Sequence, residues 1–149
     1  MSCDEHDVLD LDELTPRAIL QGMLVVWDYD PRRWTQGALS RAHDGATLAG
    51  AHDPMASAWC AAGAAVRGSR WSKQTVPLFA EFERAMHGAL TLWAGELQEI
   101  LHERLGYVVA GEVLPVFLND HPETTFDDVL LATKRALDAT YEETRPSSQ

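Results

Sequence analysis

The chain has 149 residues, 46% of them apolar, and a formal net charge of −11 at neutral pH. That is long enough for one domain with a single buried core, and too apolar for a disordered chain. The acidic balance disfavours non-specific nucleic-acid binding, because phosphates are repelled at long range, and no apolar run is long enough to cross a bilayer.

Residues 1–14 hold Asp4, Glu5, Asp7, Asp10, Asp12 and Glu13 with no Lys or Arg, and read as an acidic, flexible lead-in. An acidic start is the wrong sign for a signal or transit peptide. Cys3 and Cys60 are too few for a disulfide framework, so a cytoplasmic protein in a reducing compartment is expected. Thr15 is a helix N-cap with Pro16 at the first helical position. Ile19, Met23, Val26 and Trp27 line one face, widened by Leu20 and Leu24, up to Asp28, and Asp30-Pro31 stops the helix.

Residues 33–50 change character. Asp44-Gly45 signals a hairpin turn that pairs Ala38–Arg41 with Ala46–Leu48, a ribbon that must lean on the helices. Asp53–Gly68 reads as the central helix, with Asp53 as cap, Pro54 next to it and Gly68 at the end. Ala56, Trp59, Cys60, Gly63 and Ala64 then share one face, where small residues admit a neighbouring helix and Trp59 supplies the buried area.

A polar connection with Trp71 leads to a second Thr-x-Pro start at Thr75 and Pro77. Phe79, Phe82, Met86, Leu90, Trp93, Leu97, Ile100 and Leu101 give the longest helical pattern, running to Leu105 with Gly106 as C-cap. Gly88 and Gly95 inside it allow a bend or a break into two helices. Tyr107–Asp120 is a short helix or an extended connection, and Asn119–Glu123 is a turn. Thr124-Thr125 followed by Asp127-Asp128 caps the last helix, which shows Phe126, Val129, Leu130, Thr133, Leu137 and Tyr141 on one face. The fold expected is mostly α. Residues 15–141 form a single helical domain of about four principal helices, with a small β-hairpin between the first two. Residues 142–149 are a polar tail.

The sequence has no glycine-rich phosphate loop, no Cys-x-x-Cys pair, no His-Glu-x-x-His and no Gly-x-Ser-x-Gly elbow. Cys60 with Asp120 and His121 is the candidate catalytic set, if the protein is an enzyme. Cys60 falls about two turns into the expected helix, beyond the dipole's help, so a buried structural thiol is the preferred reading. His43, His52, Asp53 and His121 fall in turns or at a cap, but no spacing fixes two ligands; neither a metal nor another cofactor is expected. Trp34, Gln36, Trp59, Asn119 and Asp120 are the ligand-binding candidates. Their amides and aromatics either enclose a small polar ligand or satisfy the backbone of the hairpin and the Asn119–Glu123 turn, and the second is preferred. The basic stretch Arg32–Lys73 permits a small anion site, against a preferred reading as solvated loop charge.

These residues also carry a resemblance. Trp34-Thr35-Gln36-Gly37-Ala38-Leu39-Ser40-Arg41 with Asp44-Gly45, then Ala56-x-x-Trp59-Cys60-x-x-Gly63-Ala64, then Asn119-Asp120-x-Pro122-x-x-Thr125 and an Asp-x-Val-Leu helix resemble a family of small bacterial and phage proteins of unknown function. The family often has Cys at the position of Thr35 and Trp at that of Leu118, so this chain lacks a second thiol there. The resemblance implies a stand-alone domain over about residues 15–139 and no particular activity.

The function expected is that of a small acidic cytoplasmic accessory protein acting by protein–protein binding on a partner with a basic surface. With the resemblance reaching into phages, an origin in a phage or mobile element would make that partner a nucleic-acid-handling protein. Direct nucleic-acid binding and membrane association are not expected. The rival reading is a small-molecule-binding domain or cysteine-dependent enzyme with a pocket formed by Gln36, Cys60, Asn119 and Asp120.

Overall fold

The computed structural model describes residues 15–69, 79–108 and 115–144. The acidic lead-in, Cys3, the Trp71 connection, the Thr75-Pro77 helix start and the last five residues of the tail lie outside them. Helix α1 (Pro16–Trp27) begins as expected, with Thr15 Oγ1 accepting the Ala18 N–H at 3.1 Å. It stops before Asp30-Pro31, because Asp28 and Tyr29 both turn left-handed (φ 48° and 57°) and the Asp28 N–H closes on the Leu24 carbonyl. Asp30 and Pro31 instead open a short 3₁₀ turn, Pro31–Arg33.

Strands β1 (Ser40–Ala42) and β2 (Thr47–Leu48) form the expected hairpin, with Ser40 opposite Leu48. Asp44 Oδ1 accepts the Ala46 N–H at 3.0 Å and so holds the turn. A third strand, β3 (Ala56–Trp59), pairs antiparallel with β1 and completes a sheet of order β2-β1-β3. This strand corrects the central helix read over Asp53–Gly68. Asp53 caps only a turn, through Oδ1 to the Met55 N–H, and the helix α2 runs from Ala61 to Gly68. Ala-Ser-Ala-Trp has little strand preference of its own; the free edge of β1 imposes it. Cys60 is therefore not two turns into a helix but at its N-cap.

Helix α3 (Phe79–Leu105) is one unbroken helix through Gly88 and Gly95, ended at Gly106 by an N–H on the His102 carbonyl. Helix α4 (Pro115–Asp120) takes in Asn119 and Asp120, which the sequence placed in a turn. Helix α5 (Phe126–Thr144) opens on a full capping box: Thr125 Oγ1 accepts the Asp128 N–H and Asp128 Oδ2 accepts the Thr125 N–H. It runs three residues past the domain end read at Tyr141. The fold is mostly α, with a small sheet on one side.

The core gathers Ile19, Leu20, Met23 and Trp27 of α1, Ala64 and Ala65 of α2, Trp93, Leu97 and Leu101 of α3, and Val129, Ala132 and Ala136 of α5. Helices α1 and α2 meet backbone to backbone, since a Cβ on Gly22 would stand 2.8 Å from the Gly68 carbonyl oxygen. The buried indoles are tied down by their N–H groups: Trp27 donates to the Trp59 carbonyl at 3.0 Å, and Trp59 to that of Ala51 at 2.8 Å. Trp59 is core, as its spacing suggested, although it projects from a strand. No described helix is long and apolar enough to cross a membrane.

Candidate functional site

Three segments far apart in sequence meet at Asn119. The stretch leaving the 3₁₀ turn runs alongside the end of β3, with the Thr35 N–H on the Trp59 carbonyl at 3.2 Å. Helix α4 lies across both. The Asn119 side chain is buried and fully paired. Its Oδ1 accepts from Trp34 Nε1 at 2.9 Å and the Ala61 N–H at 3.1 Å; its Nδ2 donates to the Thr35 carbonyl at 3.1 Å and Asp120 Oδ1 at 2.9 Å. Gln36 Nε2 donates to the carbonyls of Asn119 and His121, at 2.9 and 3.0 Å. The Gly37 N–H donates to Asp120 Oδ1 at 2.9 Å. Trp34, Gln36, Trp59, Cys60, Asn119 and Asp120 are therefore brought together. Gln36 satisfies backbone carbonyls of the Asn119–Glu123 turn, whereas Asn119 serves the backbone of Thr35 and Ala61 and not that of the hairpin.

Cys60 is buried, and its Sγ accepts the Gly63 N–H at 3.3 Å as the N-cap of α2. Burial pushes its thiol above the ordinary value; the N–H groups of Gly63 and Ala62 oppose this, and the Asp120 carboxylate adds to it. This thiol stays protonated at neutral pH. His121 does not complete a catalytic set: its Nδ1 accepts the Glu123 N–H at 3.0 Å, and it does not line the cavity that Cys60 and Asp120 share. His43, His52, Asp53 and His121 do not converge; among the described residues no three His, Cys, Asp or Glu side chains are grouped to hold a metal.

Above Cys60 opens a cavity of about 190 Å³, lined by Gly37, Ala38, Leu39, Cys60, Ala62, Val116, Asn119 and Asp120. Its walls are apolar, and Leu39 and Val116 at the rim are 42% and 57% exposed. Gly63 lets this wall approach α2, since a Cβ there would collide with the Leu39 carbonyl. The polar side chains are Asn119, which is fully paired, and Asp120. Both its hydrogen bonds fall on Oδ1, and Oδ2 has no partner among the described residues. Of this lining, sequence reasoning reached Cys60, Asn119 and Asp120 but missed Gly37–Leu39, Ala62 and Val116, while Gln36, Trp34 and Trp59, also read as candidates, do not line the cavity. Gly37–Leu39 sat in view inside the Trp34–Arg41 motif, whereas nothing in the pattern around Val116 marks it as a rim residue.

The chain belongs to a family of unknown function (DUF6197), which matches residues 12–139. No curated protein and no solved structure matches it.

Proposed function

We propose that this family member is a binding domain whose cleft over Cys60 receives a basic side chain from a protein partner. The observation that carries the reading is that Asp120, whose Oδ2 has no partner among the described residues, lines a largely apolar cavity. A Lys or Arg side chain has a matching shape, an aliphatic stem for Leu39 and Val116 and a cationic head for the carboxylate. The net charge of −11 favours the same class of partner. The reading includes a cytoplasmic accessory role and, for a gene carried by a phage or mobile element, a nucleic-acid-handling partner. A protonated thiol without a histidine weighs against cysteine chemistry, which needs the thiolate.

The direct test is an NMR titration with N-acetyl-arginine amide and, as neutral control, N-acetyl-norleucine amide. The arginine derivative is expected to bind in the millimolar range and to shift the amides of Gly37, Leu39, Cys60 and Asp120. Asp120→Asn keeps the side chain's size and is expected to weaken binding roughly tenfold, by loss of a charge-assisted pair. Equal binding of the neutral derivative, or an unaffected Asp120→Asn protein, would remove the carboxylate from the recognition and with it the proposal.

A further inference from the structure

We infer that Arg33 and Arg67, set around the ring of Trp59, form a binding site for a phosphate-class oxyanion. Each guanidinium carbon stands 5.2 Å from the centroid of that ring, so the two are no farther apart than twice this distance. The ring is a fixed platform, buried and anchored through its N–H to the Ala51 carbonyl. Its electron-rich faces attract both cations. Arg33 uses one N–H, from Nε to the Val26 carbonyl at 2.6 Å, and Arg67 one, from Nη1 to the Ala51 carbonyl at 3.4 Å. A guanidinium carries five N–H groups, so most of the fork on each side chain has no protein partner among the described residues.

The other described arginines of the basic stretch, Arg32 and Arg41, are committed elsewhere. Arg32 is chelated by both carboxylate oxygens of Asp30. Arg41 donates to Thr35 Oγ1, Thr47 Oγ1 and the carbonyls of Gln36 and Gly45, and so holds the hairpin. Arg33 and Arg67 are half-buried, each stand over the Trp59 ring, and have no carboxylate at ion-pair distance among the described residues, in a chain with 23 Asp and Glu. Two like charges held over one ring repel, and a doubly charged anion that reaches both relieves the repulsion while filling both forks. Phosphate has the charge and the four oxygens to do this; a single carboxylate has neither. The site shares no lining residue with the cleft over Cys60 and stands independently of the function proposed for that cleft.

The test is isothermal titration calorimetry with inorganic phosphate at an ionic strength held constant with sodium chloride, together with NMR of the arginine Nε–H resonances. Wild-type protein is expected to bind about one phosphate with a millimolar or tighter dissociation constant. Arg33→Gln and Arg67→Gln should each weaken binding roughly fivefold or more, while Arg32→Gln, whose guanidinium is held by Asp30, should change it less than about twofold. Glycerol 3-phosphate in the second arm separates the sources: equal affinity assigns the site to the phosphoryl group alone, higher affinity to a phosphate ester. Should a Gln variant fail to fold, the Arg33 and Arg67 Nε–H resonances of the wild type still report contact directly. Absence of any shift in them at about 50 mM phosphate, or binding that survives in the double variant, would overturn the assignment.

Discussion

Cys60 shows how one residue's setting decides between two chemistries. A thiol at a helix N-cap is normally favoured as a thiolate, because the dipole and free N–H groups point at it. Here desolvation outweighs that help, and the nearby Asp120 carboxylate adds to it. The consequence is a pH dependence of stability with a definite sign. Above the ordinary thiol value of 9.0 the unfolded chain ionises Cys60 while the folded chain keeps its proton. The folded state then binds more protons, so stability falls as pH rises through this window and is untouched near neutrality. Cys60→Ser retains a capping oxygen but does not titrate there. Subtracting its urea-melt stabilities from those of the wild type should give a line that is flat to about pH 9 and then falls, approaching about 1.4 kcal/mol per pH unit. Parallel curves up to pH 10.5 would mean that the thiol is not desolvated. The sequence located this residue on the core but not at the cap. Its burial follows from Trp59 beside it, whereas its place at the cap depends on the strand before it.

That strand is where local signals and tertiary structure part. Asp53-Pro54 has the form of a helix start, and Ala56–Trp59 suits a helix better than a sheet. Pairing with β1 decides otherwise, and the chain turns helical only after Cys60. Elements whose cues are short-range were legible: the Thr15 cap, the Asp44-Gly45 turn and the Thr125–Asp128 capping box each form with the residues read for them. Asn119 was legible as a residue able to bond in four directions, but not as the pin through three elements. Removing it should show how far the sheet, α2 and α4 depend on one another. Asn119→Ala strands the Trp34 indole N–H, the Ala61 N–H and the Thr35 carbonyl, with only the adjoining cavity to supply water in its place. At about 1–3 kcal/mol for each buried group left unpaired, with partial relaxation, a loss of about 3–4 kcal/mol is expected in urea unfolding. A loss under about 1 kcal/mol would show that the three elements dock by apolar contact alone.

Over the whole molecule, charge and cleft have separate kinetic signatures, and this separates a steered binder from a merely soluble one. The six carboxylates in residues 1–14 act, on the reading proposed above, through the long-range field, which reaches about 10 Å at 0.1 M salt and raises encounter rates rather than holding the complex. Asp120 would act only after docking, through a contact in the cavity. In stopped-flow binding of hexa-arginine peptide, replacing Asp4, Glu5, Asp7, Asp10, Asp12 and Glu13 by Asn or Gln should slow association several-fold at low salt and leave dissociation unchanged. The difference should close as salt is raised. Asp120→Asn should do the reverse, speeding dissociation at every salt concentration with little change in the association rate. The neutralised lead-in should leave folding stability within about 0.5 kcal/mol of wild type, so that the rates compare like with like. If both variants slow association alike, the peptide is held by diffuse charge and the cleft plays no part. If only Asp120→Asn matters, the acidic lead-in contributes nothing to recognition, and specificity rests on the one carboxylate that lines the cavity with Leu39 and Val116.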